Sequence, residues 1–181
     1  MRVGMGCVKM DILHLLDNKT MKPVEKRNEI EKAIRAGTFT IQDIESLARE
    51  ADAKEIVLVF EAMEAITTKN PEIATIHWLI CTQEFISSEA NALKREASRI
   101  VGNIASLFPN DLKTAIQKLL ANTKVDSTVL RWSSAYALGR IICIPQHAQS
   151  ELFAVVTKLS EQEKENGVRN QYLHGLKKAK M

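Results

Sequence analysis

Leu93-Lys94-Arg95-Glu96-Ala97-Ser98-Arg99-Ile100-Val101-Gly102 and Leu130-Arg131-Trp132-Ser133-Ser134-Ala135-Tyr136-Ala137-Leu138-Gly139 carry the same pattern. In both, an apolar residue and a base precede small residues, followed by an apolar residue and Gly. The pattern extends to four stretches at a spacing of 37–38 residues, with Val59 and Met63 upstream and Val168-Arg169 and Leu176 downstream. A repeat of that length points to stacked helical units, each too small to bury its apolar face alone.

Aligned columns show what each position must do. Met63, Val101, Leu138 and Leu176 are all apolar and should face a shared core. The neighbouring column reads Glu64, Gly102, Gly139, Lys177. Glycine costs about 1 kcal/mol in a helix interior relative to alanine, so its recurrence predicts a helix crossing close to the backbone. Val59, Ala97, Ser134 and Tyr172 form a mostly small column. Ile66, Ile104, Ile141 and Ala179 carry the stripe one turn on.

Pro71, Pro109 and Pro145 punctuate the array, 38 and 36 residues apart. Proline suits the first turn of a helix, where its missing N–H is not needed. We therefore expect each to mark the tight turn between the two helices of a unit, with Asn70 as an N-cap. First helices are expected at Ala53–Thr68, Glu89–Leu107, Asp126–Ile142 and Lys164–Lys178. Second helices are expected at Glu72–Ser87, Asp111–Asn122 and Ala148–Ser160. Upstream, Pro23–Ala36 and Ile41–Ala51 read as a divergent pair, with Gly37 as C-cap and Thr40 as N-cap.

This sets the expected organisation. Residues 1–20 form an arm with a short helix from about Val8 to Leu16, and Met1 and Met10 are both candidate starts. Residues 21–181 form one domain, with a first hairpin at 22–51, repeats near 53–87, 89–122 and 126–160, and a capping helix at 164–179.

Composition agrees. Hydrophobic residues make up 45% of the 181 and aromatics only 5%, with seven Gly and four Pro. That mixture disfavours sandwiches and barrels, which need many turns and strands. Twenty-five bases and 22 acids leave a net charge of +3, too balanced to signal a nucleic-acid binder by itself. Cys7, Cys81 and Cys143 are odd in number and lack metal spacing, which suggests a reducing cytoplasm. No apolar run reaches the roughly 18–20 residues of a membrane span. Neither a metal site nor a cofactor is expected: His14, His77, His147 and His174 are mutually isolated, and no Gly-rich phosphate loop occurs. No catalytic set stands out, so an enzyme is not expected.

Asp126, Leu130-Arg131, Leu138-Gly139 and Ile141 resemble the HEAT repeat family of α-solenoids. Glu89, Leu93-Lys94, Ala97, Val101-Gly102 and Ile104 match with conservative changes. The last unit keeps Val168-Arg169 and Leu176 but has Lys164 in place of the acid. The resemblance implies an all-α, right-handed α-α superhelix of the HEAT or armadillo type. It also implies that Glu89, Lys94, Asp126, Arg131 and Arg169 act as a polar ladder between units.

Such arrays present an extended concave surface lined by second helices, so Thr75, Trp78, Lys113 and Gln117 are candidate partner contacts. Trp78 suits an interface or the core equally well. Trp132, Tyr136 and Arg140 share one helical face. They can fill gaps between units, contact a protein or grip nucleic acid. HEAT-like DNA glycosylases use aromatics and a carboxylate, and their full set is not recognisable here. The expected role is a non-enzymatic scaffold or adaptor that binds another protein. A nucleic-acid-binding or DNA-repair role is the alternative.

Overall fold

A computed structural model describes residues 12–180. Within them the chain is all-helical, with no strand. Residues 12–17 form α1. It is followed by α2 (Pro23–Arg35), α3 (Ile41–Glu50), α4 (Ala53–Lys69) and α5 (Ile76–Phe85). Then come α6 (Asn91–Ile104), α7 (Lys113–Asn122), α8 (Thr128–Ile141), α9 (Glu151–Gln162) and α10 (Asn166–Ala179). Residues 1–11 of the arm expected at 1–20 lie outside the described residues, and with them the choice between Met1 and Met10 and the start of the helix expected from Val8.

Several helix ends follow from local chemistry. Pro23 opens α2, where its fixed φ costs nothing. The Thr40 hydroxyl accepts the Asp43 N–H while Asp43 Oδ2 accepts the Thr40 N–H at 2.9 Å, a reciprocal cap. Asp52 caps α4 by accepting the Lys54 and Glu55 N–H groups at 2.8 and 3.0 Å. After α2, Gly37 turns the chain at φ +70°, which glycine adopts without steric penalty.

The prolines behave differently from expectation. Asn70 closes α4 instead of opening the next helix, because its N–H still bonds Ile66 O. Pro71–Ile73 forms a single 3₁₀ turn, and α5 starts only at Ile76. The other two prolines also precede late starts, at Lys113 and Glu151 rather than 111 and 148. The prolines thus occupy the longer connections. Short ones, such as residues 86–90 and 163–165, lead from each second helix to the next first helix.

Helix contacts follow this connectivity. One layer runs α2, α4, α6, α8, α10, each packed on the next. The second helices pack mainly on the first helix that follows: α5 on α6, α7 on α8, α9 on α10. Side-chain bonds repeat the same spacing: Arg35 to Asn70, Asn103 to Thr67, Asn122 to Ile86 O, Gln146 to Asn110. Each spans 35 or 36 residues, slightly less than the sequence period.

A single apolar cluster runs through the stack, from Ile12 to Leu176. The expected core columns lie in it: Met63, Val101, Leu138 and Leu176 are buried, as are Ile66, Ile104 and Ile141. Each fully buried aliphatic side chain contributes about 1.5–3 kcal/mol.

Candidate functional site

Three side chains on α8 form a connected file. Trp132 and Tyr136 stack with ring centroids 5.5 Å apart and planes 15° from parallel. The Arg140 guanidinium lies 4.5 Å from the centre of the Tyr136 ring. Four-residue spacing places the three in file along the helix, so Tyr136 has Trp132 one turn before it and Arg140 one turn after. A guanidinium over an aromatic face is attracted by the ring quadrupole, which restricts its rotamers.

Tyr136 is also held at its hydroxyl, which donates to Asn103 Oδ1 at 2.6 Å. Asn103 Nδ2 donates in turn to the Thr67 and Thr68 hydroxyls, each at 3.1 Å. The Thr68 hydroxyl donates to Glu64 Oε1 at 2.8 Å, and Arg99 pairs with the same oxygen at 2.7 Å. A chain of hydrogen bonds therefore ties α8 through α6 to α4. Burial, the main cause, raises the Tyr136 phenol above its ordinary range, so it remains a donor.

Beside Tyr136 a cleft of about 510 Å³ opens between α6, α8 and α10. Its floor is Gly102, Gly139 and Gly175. A Cβ on Gly102 would meet Ala137 Cα at 2.9 Å, and one on Gly139 would meet Gln171 O at 2.8 Å. The repeated glycines thus occur where neighbouring backbones nearly touch. Cys143 Sγ lies against the same floor and donates to Gly139 O at 3.2 Å and Gly175 O at 3.5 Å. Burial raises its thiol above the usual range, which keeps it a neutral donor.

Arg140, His174 and Lys178 stand around the cleft, and no Asp or Glu lines it. Among the described residues none of the three pairs with a carboxylate within 4 Å. Next door the situation reverses. Arg95 meets Glu96 at 2.6 Å and Glu61 at 3.7 Å, and Arg99 meets Glu64 and Glu96. Glu96 is only 2% exposed. Burial raises its carboxyl above the ordinary range despite the two arginines.

The second-helix candidates fare unevenly. Thr75, Lys113 and Gln117 are exposed. Trp78 is 5% exposed and belongs to the core, so it offers no partner a surface. Its neighbours Ile80, which is 46% exposed, and His77 instead line a shallow groove with Ala48 and Arg49 of α3. Cys81 is buried beneath them, with its thiol pushed up to about 12 by that burial.

The expected polar ladder reduces to one rung. Arg131 Nε donates to Glu163 Oε2 at 3.0 Å, and its Nη1 donates to the main-chain oxygens of Val125 and Asp126. Burial pushes the Glu163 carboxyl up. The Arg131 bond and charge, with N–H groups of the following residues, outweigh this and hold it below the ordinary range. Among the described residues, Arg169 bonds only Asn166 of its own helix. Glu89 and Asp126 are exposed. Among the described residues, neither they nor Lys94 forms an ion pair. Both acids stand exposed just before their helices, and Arg131 meets Asp126 through its main-chain oxygen instead of its carboxylate.

Sequence reasoning grouped Trp132, Tyr136 and Arg140, and the structure brings them together. It missed Asn103, His174 and Gly175. Asn103 did leave a signal: it is a polar residue inside the apolar run Ile100 to Ile104. Among the described residues no group of three His, Cys, Asp or Glu side chains could hold a metal. No described helix is long and apolar enough to cross a membrane.

No family model matches the chain, and no curated protein does. The crystal structure of an engineered protein is similar, with a TM-score of 0.71 and 14% identity. The match covers 97% of this chain and 80% of that one. At that identity the likeness concerns the fold alone.

Proposed function

We propose that the chain is a HEAT-like α-solenoid with a right-handed superhelical stack, serving as a non-enzymatic scaffold or adaptor for another protein. The observation that carries this reading is the cleft between α6, α8 and α10, lined by Tyr136 and Arg140 of a file in which Trp132 stacks behind Tyr136. Pre-ordered side chains lose little entropy on binding, which favours recognition. Arg, Trp and Tyr are also the residue types that dominate binding hot spots. Thr75, Lys113 and Gln117 are exposed on the other layer, outside this cleft. We place the protein in the cytoplasm, a reading supported by the unpaired thiols of Cys81 and Cys143.

A nucleic-acid role is less well supported. Base stacking needs an open aromatic face, and Tyr136 has Trp132 on one side along the helix and Arg140 on the other.

The test is affinity capture, identification of the bound protein and reconstitution with that protein purified. Arg140→Glu should weaken the complex at least about tenfold, while Lys113→Glu leaves it nearly intact. A partner lost with Lys113→Glu and indifferent to Arg140→Glu would move the site to the second-helix layer. Retention of nucleic acid with no protein would sink the adaptor reading.

A further inference from the structure

We infer that the cleft between α6, α8 and α10 receives a carboxylate-rich segment of the partner, with Arg140 and Lys178 as its principal anchors. The inference rests on the adaptor reading and adds the chemistry of what is bound.

Charge is the first argument. Arg140, Lys178 and His174 surround the cleft without a carboxylate among its lining residues. Arg140 and Lys178 lie in the last turns of α8 and α10, where each helix end carries about half a negative charge. Two full positive charges exceed that compensation, so the cleft keeps a surplus of roughly one.

Arg140 is also pre-aimed. Its guanidinium carbon sits over the Tyr136 ring, and with no carboxylate paired to it among the described residues its N–H groups can take the two oxygens of a bound carboxylate. Tyr136 is in turn fixed by Asn103. Gln171 also lines the cleft, a polar side chain suited to the main chain of an extended segment.

Phosphate backbone fits less well. A nucleic-acid strand needs a track of free bases spanning successive phosphates. Here the positive surface stops at α6, where Arg95 and Arg99 are already engaged by Glu61, Glu64 and Glu96.

The test uses fluorescein-labelled hexaglutamate, hexaglutamine and hexathymidylate, with anisotropy measured at low ionic strength. Hexaglutamate should bind, weaken as salt rises, and lose about tenfold in affinity with Arg140→Gln or Lys178→Gln. Lys158→Gln, exposed on α9, should leave it unchanged, with far-UV circular dichroism confirming that each variant folds. Equal binding of hexaglutamine, or hexaglutamate binding indifferent to Arg140→Gln, would overturn the inference. Tighter binding of hexathymidylate with the same Arg140 dependence would overturn it in favour of nucleic acid. The two readings fail separately. A purified partner that needs Arg140, with hexaglutamate unbound, refutes the acidic segment alone. Hexaglutamate held by Arg140 with no cleft-dependent protein supports the anion chemistry and refutes the adaptor.

Discussion

Gly139 and Gly175 meet backbone to backbone where α8 crosses α10: a Cβ on Gly175 would overlap the main chain of Gly139. Two opposing effects meet at that crossing. Alanine at position 175 gains about 1 kcal/mol in helix propensity. Overpacking against an immobile backbone costs about 1–3 kcal/mol or more, so the overlap wins. Gly175→Ala should lower the melting temperature, while Gly167→Ala, whose Cβ would meet only Trp132 Cδ1 at 3.9 Å, should hold or raise it. A Gly175→Ala protein melting at or above wild type would remove the close crossing from the account.

Tyr136→Phe keeps the ring and deletes the hydroxyl. Asn103, 5% exposed, then loses the donor to its Oδ1. An unsatisfied buried acceptor costs about 1–3 kcal/mol. Urea titration should show a lower midpoint with an unchanged slope. An unchanged midpoint would mean that water replaces the hydroxyl freely.

Two carboxyls give stability opposite pH dependences. Glu163 is held below its ordinary value of 4.5, so it stabilises the fold above that pH. This contribution is lost as pH falls through the folded value. Glu96 is raised above 4.5, so the unfolded carboxyl ionises before the folded one as pH rises, and stability falls across that window. Unfolding free energies measured from about pH 2 to 8 should show the acid limb flattened by Arg131→Gln and the upper limb flattened by Glu96→Gln. Wild-type slopes in both variants would refute the assignment.

Trp78→Ala tests the place of that residue in the core. A large side chain removed from a packed core costs about 3–5 kcal/mol, so the variant should be broadly destabilised in a thermal melt. A variant as stable as wild type that loses only a binding partner would return Trp78 to the surface.

The helical stack was legible because its apolar columns recur: Met63, Val101, Leu138 and Leu176 share one environment and hence one chemistry. Contacts between helices were less legible. Gly102 meets Ala137 and Gly139 meets Gly175, pairs that fall short of the 37–38-residue column spacing, so alignment did not pair Gly175 with Gly139. The ladder failed for a related reason. A recurring acid and base show repetition, while the partner of Arg131 is Glu163, which occurs in one unit only. Trp78 stayed ambiguous because α5 is apolar on most sides, from Ile76 to Cys81, and gives no periodic clue to its inward face. The cleft was half visible: the α8 file follows from spacing along one helix. His174 and Asn103 join it only through neighbours that a one-dimensional pattern does not supply.

The bonds joining neighbouring units, from Arg35–Asn70 to Gln146–Asn110, close loops of nearly constant length wherever they occur along the chain. Ring-closure entropy depends on loop length, so forming each new interface costs the folding chain about the same as the one before. Assembly can then start at any neighbouring pair and spread outward, at a speed set by one module and its neighbour rather than by the whole polypeptide.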